Sequence, residues 1–390
     1  MVDFSLTDEQ LRWRSRAREF AAKHILPRTD LDTHGHFPRD LYEQAFREGF
    51  VTAAIPKEYG GGGKSLFDLV LAAEEFAYGD LGVATSTFLM LLATRAILGF
   101  GTDEQKERFI RPLTKELRFA SHAWSEPEGS SNMLGRPATT TARPVDGGFV
   151  LNGTKSTISN ATVASIYSVF ARVDPGPPGL TCFVVPRDAK GVEATNPYRK
   201  MGQRAGDTGQ VVFKDVFVPA GDQIGKIGQG AQIGLRSLRP SRVGVAAMSV
   251  GVARRARDLA KLFGHSRLIG DGNPLIQQQD FRFRLAEIET DIEMVRALTW
   301  RACWEVSSGP EATKFSSAAK LAGGNMASRV TNGVVEMLGA SGYLESGLAE
   351  KLVRDSKVLQ IYEGTGAIQK MLIADTVGRL GSLRSELGAK

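Results

Sequence analysis

The chain has 390 residues, with 49 Lys plus Arg against 43 Asp plus Glu, which gives a formal net charge of +6 at pH 7. With 42% apolar residues, it is long enough to bury a sizeable core and to form two or three domains. Its two cysteines, Cys182 and Cys303, are too few for a disulfide framework or a cysteine-ligated zinc site. These features predict a metal-free protein of a reducing compartment.

The sequence shows no clear targeting signal. It contains no run of 18 apolar residues, and its start lacks the charged segment and apolar core of a secretory signal. The basic residues are scattered rather than gathered into a run with interleaved aromatic residues. We therefore expect a cytoplasmic protein that neither spans a membrane nor binds nucleic acid.

Helical spacing dominates the first third of the chain. Residues 7–117 are rich in Ala, Leu, Glu and Arg, and Thr7 and Thr102 each precede acidic or amide residues as helix N-caps do. From 119 to 227, short β-branched and aromatic runs alternate with turn residues, which indicates an antiparallel sheet or barrel. Both patterns end at turn-forming residues, so they predict separate structural units.

Two long amphipathic helices are predicted after residue 229, because their apolar residues recur every three, four or seven positions. Helices of this length are most readily buried as a bundle. The predicted fold class is an α+β multidomain protein. Its parts are an N-terminal α-helical domain (1–118), a middle antiparallel β-barrel-like domain (119–228) and a C-terminal four-helix bundle (229–390).

Three polar segments could carry chemistry. Residues 125–132 could approach an anionic or carbonyl-rich ligand closely, or could form an ordinary polar loop. Residues 201–208 are best explained as a turn between strands. In residues 361–369, apolar neighbours predict a raised pKa for Glu363, which would suit a general base. Capping of the next helix by Thr365 would, taken alone, explain that segment better.

In this order, the segments resemble the acyl-CoA dehydrogenase family of flavoproteins, of the short- and medium-chain type, nearly end to end. Two clear matches are I-P-K-E-Y-G-G and Y-E-G-T, the second of which contains Glu363. All the matching segments are residues 4–10, 55–61, 125–132, 201–204, 212–219, 338–343 and 362–365. Each is weak alone, but together and in register they are specific.

The resemblance implies non-covalently bound FAD and the removal of the α and β hydrogens of an acyl thioester, which gives a trans-2-enoyl product. It implies that Glu363 takes the α proton while the β hydrogen leaves as hydride to flavin N5. A weakly acidic C–H requires a dry site and donors to the thioester carbonyl. By analogy, these donors are a flavin ribityl hydroxyl and the Glu363 backbone N–H.

The resemblance also implies the remaining site residues. The cofactor-binding positions are Trp124, Ser125, Ser131, Thr157, Ser159, Arg267, Gln279, Gly339 and Thr365. The substrate-binding positions are Ser131, Arg242, Tyr362 and Gly364. Arg267 is expected to reach the FAD pyrophosphate of a neighbouring subunit, so a homotetramer (a dimer of dimers) is implied. Electron-transfer flavoprotein is implied as the electron acceptor, and fatty acid metabolism as the context.

Some residues depart from the family pattern. Thr157 stands where Trp or Phe usually covers the flavin, whereas Ser125 and Ser159 replace threonine and keep the hydroxyl. Arg95 lies in an apolar helix of the region that lines the family's acyl pocket. Its cation could meet a substrate carboxylate, or it could reach the surface or pair with a protein acid.

Alternative functions remain within and beyond the enzyme class. The same reaction could act on a thioester held by an acidic carrier protein, and the net charge suits this partner as well as CoA. Flavin monooxygenases and nitroalkane oxidases share the fold but lack a glutamate at the position of Glu363. A nucleic-acid-binding relative of the fold would need a basic patch and an added C-terminal segment, which are not evident.

Overall fold

We analysed a computed structural model of the chain, which describes residues 4–129, 138–195, 197–270 and 272–378. Helices form the first part of the chain, a sheet forms the middle, and long helices form the last part. The predicted fold class is therefore confirmed. The exact domain bounds stay a prediction.

The N-terminal part is helical, and its helices start where the sequence predicts. Thr7 and Thr102 each accept a hydrogen bond from the backbone N–H three residues on, and Ser65 does the same for a third helix. Such caps satisfy N–H groups that have no partner within the helix. The helices are α1 (Asp8–Phe20), α2 (Arg39–Arg47), α3 (Leu66–Gly79), α4 (Leu81–Phe88), α5 (Met90–Phe100), α6 (Asp103–Phe109) and α7 (Pro112–Lys115).

The stretch Leu81–Phe100, which contains α4 and α5, is long and apolar enough to cross a membrane by length and composition alone. The protein buries 89% of its most apolar window. The core helices of globular proteins show the same burial, so the stretch is accounted for by packing within the fold.

The middle part is one eight-stranded sheet. Its strands are β1 (Phe119–Ala123), β2 (Thr141–Val145), β3 (Gly148–Ser159), β4 (Ala164–Val173), β5 (Leu180–Pro186), β6 (Val192–Ala194), β7 (Thr208–Pro219) and β8 (Gln223–Ile224). Their order is β6-β7-β3-β2-β4-β5-β8, with β1 paired to β4. The pairings are antiparallel as predicted, except that β1 and β2 each run parallel to β4.

The C-terminal part consists of α8 (Gly230–Ser266), α9 (Gln279–Ser307), α10 (Ala312–Leu338), α11 (Ala340–Tyr343), α12 (Ala349–Ser356) and α13 (Gly366–Val377). The long helices α8, α9 and α10 pack on one another, and α13 packs on α10. Helix α8 also packs on α3 of the N-terminal part. It is therefore the element that can position groups from both ends of the chain.

Buried ion pairs connect the three parts. Lys351 of α12 contacts the carboxylates of Asp80, which precedes α4, and Asp355. Asp355 in turn accepts a hydrogen bond from the backbone N–H of Gln203 in the sheet domain. Lys351 and Asp355 belong to the helix that precedes the Glu363 loop in the chain. The network therefore connects this helix to α4 and to the sheet domain.

Candidate active site

The Glu363 loop has an uncommon backbone conformation. Glu363 and Gly364 have φ angles of 57° and 92°, which lie in the left-handed region. A non-glycine residue there costs about 1–3 kcal/mol and persists only where its surroundings hold it. Thr365 occupies the N-cap position of α13, as predicted, but its hydroxyl caps no helix N–H. Capping therefore does not account for the segment.

Side chains from three helices hold the two carbonyls of this loop. Arg242 of α8 donates from Nε to the Glu363 carbonyl at 3.2 Å, and Lys320 of α10 donates to the Gly364 carbonyl at 2.7 Å. Gln369 of α13 donates to both carbonyls, at 3.0 and 2.9 Å. These bonds compensate for the strained backbone and fix the direction of the Glu363 side chain.

The Glu363 carboxyl group is buried, and the charges of two cationic side chains act on it. Burial raises its pKa, while a hydrogen bond from Ser241 and the charges of Arg242 and Lys320 act in the opposite direction. The Ser241 hydroxyl donates to Oε2 at 2.6 Å. The direction of the pKa shift is as predicted, although of the two apolar neighbours behind the prediction only Tyr362 is partly buried and Ile361 is exposed. Packing against α8 and α10 buries the carboxyl group.

The two cations beside Glu363 are themselves buried. Burial lowers the pKa of Arg242 to about 10 and that of Lys320 to about 8, although the Glu363 charge raises both. Burial also raises the pKa of Tyr362 to about 12, so its phenol stays neutral at pH 7. The predicted substrate-binding residues Arg242, Tyr362 and Gly364 are thus gathered around the predicted base.

A cavity lies beside Ser241, the hydrogen-bond partner of Glu363, although Glu363 itself does not line it. It encloses about 570 Å³ of empty space, part of it open to solvent, between α3, α4, α5 and α8. Ser241 forms part of its wall, next to Glu363. The rest of the wall is apolar apart from Thr87 and Thr94, whose hydroxyls donate to carbonyls of their own helices. The wall therefore suits an uncharged apolar group.

Two further residues bear on what enters the cavity. A Cβ added at Gly244 of α8 would meet nothing within 4 Å, so this glycine leaves open space in the wall. Arg95 does not line the cavity, although α5 does. Its Nε is buried and has no hydrogen-bond partner among the described residues. Burial lowers the pKa of Arg95, so its side chain lies apart from a compensating acid.

The predicted flavin-contacting residues form a second group at the sheet. The Ser156 N–H donates to the Ser125 carbonyl at 2.9 Å, which joins the segment after β1 to β3. Strand β3 bulges between Lys155 and Ile158. Within the bulge, Thr157 has a φ of 55° and is exposed. Ser159 ends the same strand. Ser131 lies outside the described residues.

A buried ion pair contacts the backbone of the predicted flavin-contacting residues. Lys155 donates to the Glu126 carboxylate at 2.9 Å and to the Trp124 carbonyl at 3.2 Å, and both charged side chains are almost fully buried. Burial would raise the pKa of Glu126, but Lys155 and the N–H and O–H groups of Thr139 and Thr140 lower it to about 2. The pair fixes Trp124 and Ser125 in place.

Helix α8 connects the two groups. A Cβ added at Gly234 would lie 2.1 Å from the Trp124 ring, so only glycine permits this contact. Ser241 lies seven residues, or two turns, further along the same face, about 10 Å away at 1.5 Å per residue. The residues thus offer uncharged hydroxyls, such as that of Ser125 next to Trp124, at one end and the Glu363 carboxylate at the other. This combination suits the polar edge of a flat neutral ring. The residues present therefore fit the flavin of FAD.

Arg267, Gln279 and Gly339 lie elsewhere. All three are exposed, at the end of α8, the start of α9 and the end of α10. Arg284 of α9 and Glu336 of α10 approach to 3.7 Å beside them. Because Arg267 is 26 residues beyond Ser241, helix rise separates the two by about 39 Å. Within one chain, Arg267 is therefore too far from Ser241 to contact a ligand that lies beside Glu363.

Sequence reasoning missed Ser241, Lys320 and Gln369. Ser241 directly precedes a residue that was identified, and Lys320 interrupts an otherwise small and apolar helical stripe. A lysine at a buried helical position is a detectable signal, because lysine is almost never fully buried without a partner. The partner, a backbone carbonyl 44 residues away, could not be read from the sequence.

Comparisons with known proteins agree with this geometry. Family models described as the N-terminal, middle and C-terminal domains of acyl-CoA dehydrogenase match residues 7–116, 121–216 and 228–378. The chain therefore belongs to the acyl-CoA dehydrogenase family. It is an FAD-dependent oxidoreductase of that family, as the resemblance implied.

Individual relatives span the whole chain. Acryloyl-CoA reductase (NADH) of Anaerotignum propionicum is 33% identical and covers 96% of each chain. The structure of butyryl-CoA dehydrogenase from Megasphaera elsdenii is 33% identical, with a TM-score of 0.91, over 97% of this chain and all of that one. The prolyl acyl carrier protein oxidase AnaB is 27% identical, with a TM-score of 0.90, over 96% of this chain and all of the other.

Proposed function

We propose that Glu363 is the base that removes the α proton of an acyl-CoA thioester. The observation that carries this assignment is the hydrogen bond between the carboxyl group of Glu363 and Ser241, a residue of the cavity wall. An acyl chain in the cavity would bring its first carbons next to this carboxyl group. Burial supports the role, because a raised pKa makes a carboxylate a stronger base.

The chain's own residues perform the remaining tasks. The apolar wall holds the acyl chain and excludes water, which strengthens the electrostatic interactions at the reacting carbons. Ser241 orients the carboxylate, and Arg242 holds the loop through the Glu363 carbonyl. FAD, when bound, supplies the hydride acceptor. Trp124, Ser125, Thr157 and Ser159 would hold its ring, and the proton removed from the α carbon stays on Glu363.

A thioester on a carrier protein is a second candidate substrate. It is supported by the similarity to a protein described as a prolyl acyl carrier protein oxidase. The apolar cavity wall weighs against a prolyl group, because its described residues offer no free hydrogen-bonding side chain to a ring nitrogen. It does not weigh against an apolar acyl group on a carrier protein.

The test is anaerobic titration of the purified flavoprotein with apolar acyl-CoA thioesters and with the same acyl groups on carrier protein. We expect acyl-CoA to bleach the flavin absorbance. Gly244→Leu fills the cavity beside Ser241 and should weaken bleaching, most strongly for longer acyl groups. Gly99→Leu is the matched control, since Gly99 is a helical glycine with equally open space on the exposed side of α5. Bleaching by the carrier-bound group alone would replace the CoA assignment.

We also propose a homotetramer. The C-terminal domain exposes several large apolar side chains, which contact with a second copy could cover. They include Leu262, Leu268, Phe283, Met294, Trp304 and Tyr343. A second copy would also bring Arg267 within reach of a flavin site that is too distant in its own chain. Light scattering should give four chains of 42.2 kDa, and a monomer that retains FAD would contradict the proposal.

Electron-transfer flavoprotein as acceptor, the role in fatty acid metabolism and the cytoplasmic location stay predictions.

A further inference from the structure

Lys320 is a buried cation without an acidic contact. Its side chain is 1% exposed, and among the described residues no carboxylate lies within 4 Å of its Nζ. The comparison with Lys155 is direct, because that equally buried lysine contacts Glu126 at 2.9 Å. A buried charge is costly unless it is compensated. The buried charge of Lys320 therefore requires a compensating interaction.

The surroundings of Lys320 provide this compensation. Its Nζ donates to the carbonyl of Gly364, the residue after Glu363, at 2.7 Å. Burial lowers the pKa of Lys320 to about 8, and the charge of Glu363 raises it against this effect, while Arg242 lowers it further. Lys320 and Glu363 thus stabilise each other's ionised forms. The Lys320 charge lowers the pKa of Glu363, whereas burial raises it.

We propose that Lys320 is a positioning residue for the reaction: it holds the Glu363 loop and keeps the Glu363 carboxylate ionised in the buried site. The inference rests on the proposed role of Glu363 as the base. Two cations, Arg242 and Lys320, act on this one carboxylate through their charges, while each donates to a backbone carbonyl of the loop. Both charges lower the pKa of Glu363, so they favour the ionised form that can accept the α proton.

Each of the other charged or titratable groups near Glu363 has an identifiable contribution. Arg242 comes from α8, together with Arg239, whose charge acts on Arg242. Lys320 comes from α10, and Tyr362 from the loop itself is neutral. Ser241 and Gln369 contribute uncharged hydrogen bonds. Removing Lys320 leaves Arg242 as the single cation among the described residues that acts on Glu363. The pKa of Glu363 is therefore expected to rise.

The experiment measures the rate of anaerobic flavin reduction by acyl-CoA against pH. The rate rises with pH as Glu363 ionises, and this rise is the acid limb of the profile. Loss of the Lys320 charge should raise the pKa of Glu363 and therefore move the acid limb to higher pH. Lys320→Met and Lys320→Gln should shift it by about one unit, which is about tenfold in rate below the limb. Lys320→Gln retains a donor without charge, and Lys320→Arg should restore the original limb. This series separates the charge from the hydrogen bond.

Lys200→Met is the matched control. Burial likewise lowers the pKa of Lys200 to about 8, and its Nζ donates to the Gly206 carbonyl and the Thr208 hydroxyl. The charges that act on Lys200 come from Asp207, Asp355 and Asp80 rather than from Glu363. This variant should leave the acid limb in place. An unshifted limb in both Lys320→Met and Lys320→Gln, with normal flavin content, would overturn the proposal. A shift of equal size in Lys200→Met would also overturn it.

A second measurement does not depend on turnover. In a double-mutant cycle, Lys320→Met should lower the unfolding temperature less in a Glu363→Gln background than in the wild type, because the attraction is already absent. Purely additive effects would mean that the two side chains are not coupled. Should Glu363→Gln still reduce flavin normally, the base assignment fails, yet the cycle still tests the Lys320–Glu363 coupling. The two failures are therefore distinguishable.

Discussion

Glu363→Gln should bind FAD and acyl-CoA normally but reduce its flavin about 10²- to 10⁴-fold more slowly than the wild type. The substitution retains the size of the side chain and an oxygen that can accept the Ser241 hydrogen bond. It also leaves the loop contacts of Arg242 and Lys320 unchanged, because these go to backbone carbonyls. Only the ability to take a proton is removed.

The measurement is stopped-flow bleaching of the flavin under anaerobic conditions, with ligand binding followed separately by the spectral shift of the flavin. The Glu363→Gln variant should also lose the acid limb of the pH profile. Glu345→Gln, at an exposed carboxylate in the same part of the chain, serves as the control and should behave as the wild type. Bleaching by Glu363→Gln at an unchanged rate would remove Glu363 from the mechanism.

Local pattern was sufficient to predict the fold class. Helical spacing and N-caps at Thr7 and Thr102 identify helices, because both features depend on residues a few positions apart. The direction of β1 and β2 along β4 was not predictable. Turn residues specify antiparallel hairpins such as β2–β3, whereas β1 and β2 reach β4 from distant parts of the chain.

The same division applies to the active site. Glu363 was identified because it belongs to a short motif that resembles the family, and Arg242 because its position resembles that of a family arginine. Ser241 and Lys320 have functions only through contacts 122 and 44 residues away, so no local pattern reveals them. Arg95 was assigned to the region of the acyl pocket by its helix. Its position on that helix, beyond the wall of the cavity, depends on how α5 packs against α8 and the sheet.

Lys155→Met should destabilise the protein by about 3–5 kcal/mol and release much of its FAD. Removing one partner of a buried ion pair leaves an uncompensated charge, here the Glu126 carboxylate, which is 2% exposed. The substitution also removes the donor to the Trp124 carbonyl. Because Ser125 follows directly, the edge of the predicted flavin site loses a contact with the sheet.

Denaturant unfolding of the apoprotein measures the stability, and the ratio of flavin to protein absorbance measures the cofactor content. The double variant Glu126→Gln/Lys155→Met separates the two roles of the pair. It carries no buried charge, so it should regain much of the stability that Lys155→Met loses. It still lacks the contact from position 155 to Trp124, and its FAD content should therefore stay low. Full recovery of FAD in the double variant would show that the pair acts on the cofactor only through global stability, whereas recovery of stability alone would locate its effect at the Trp124–Ser125 edge.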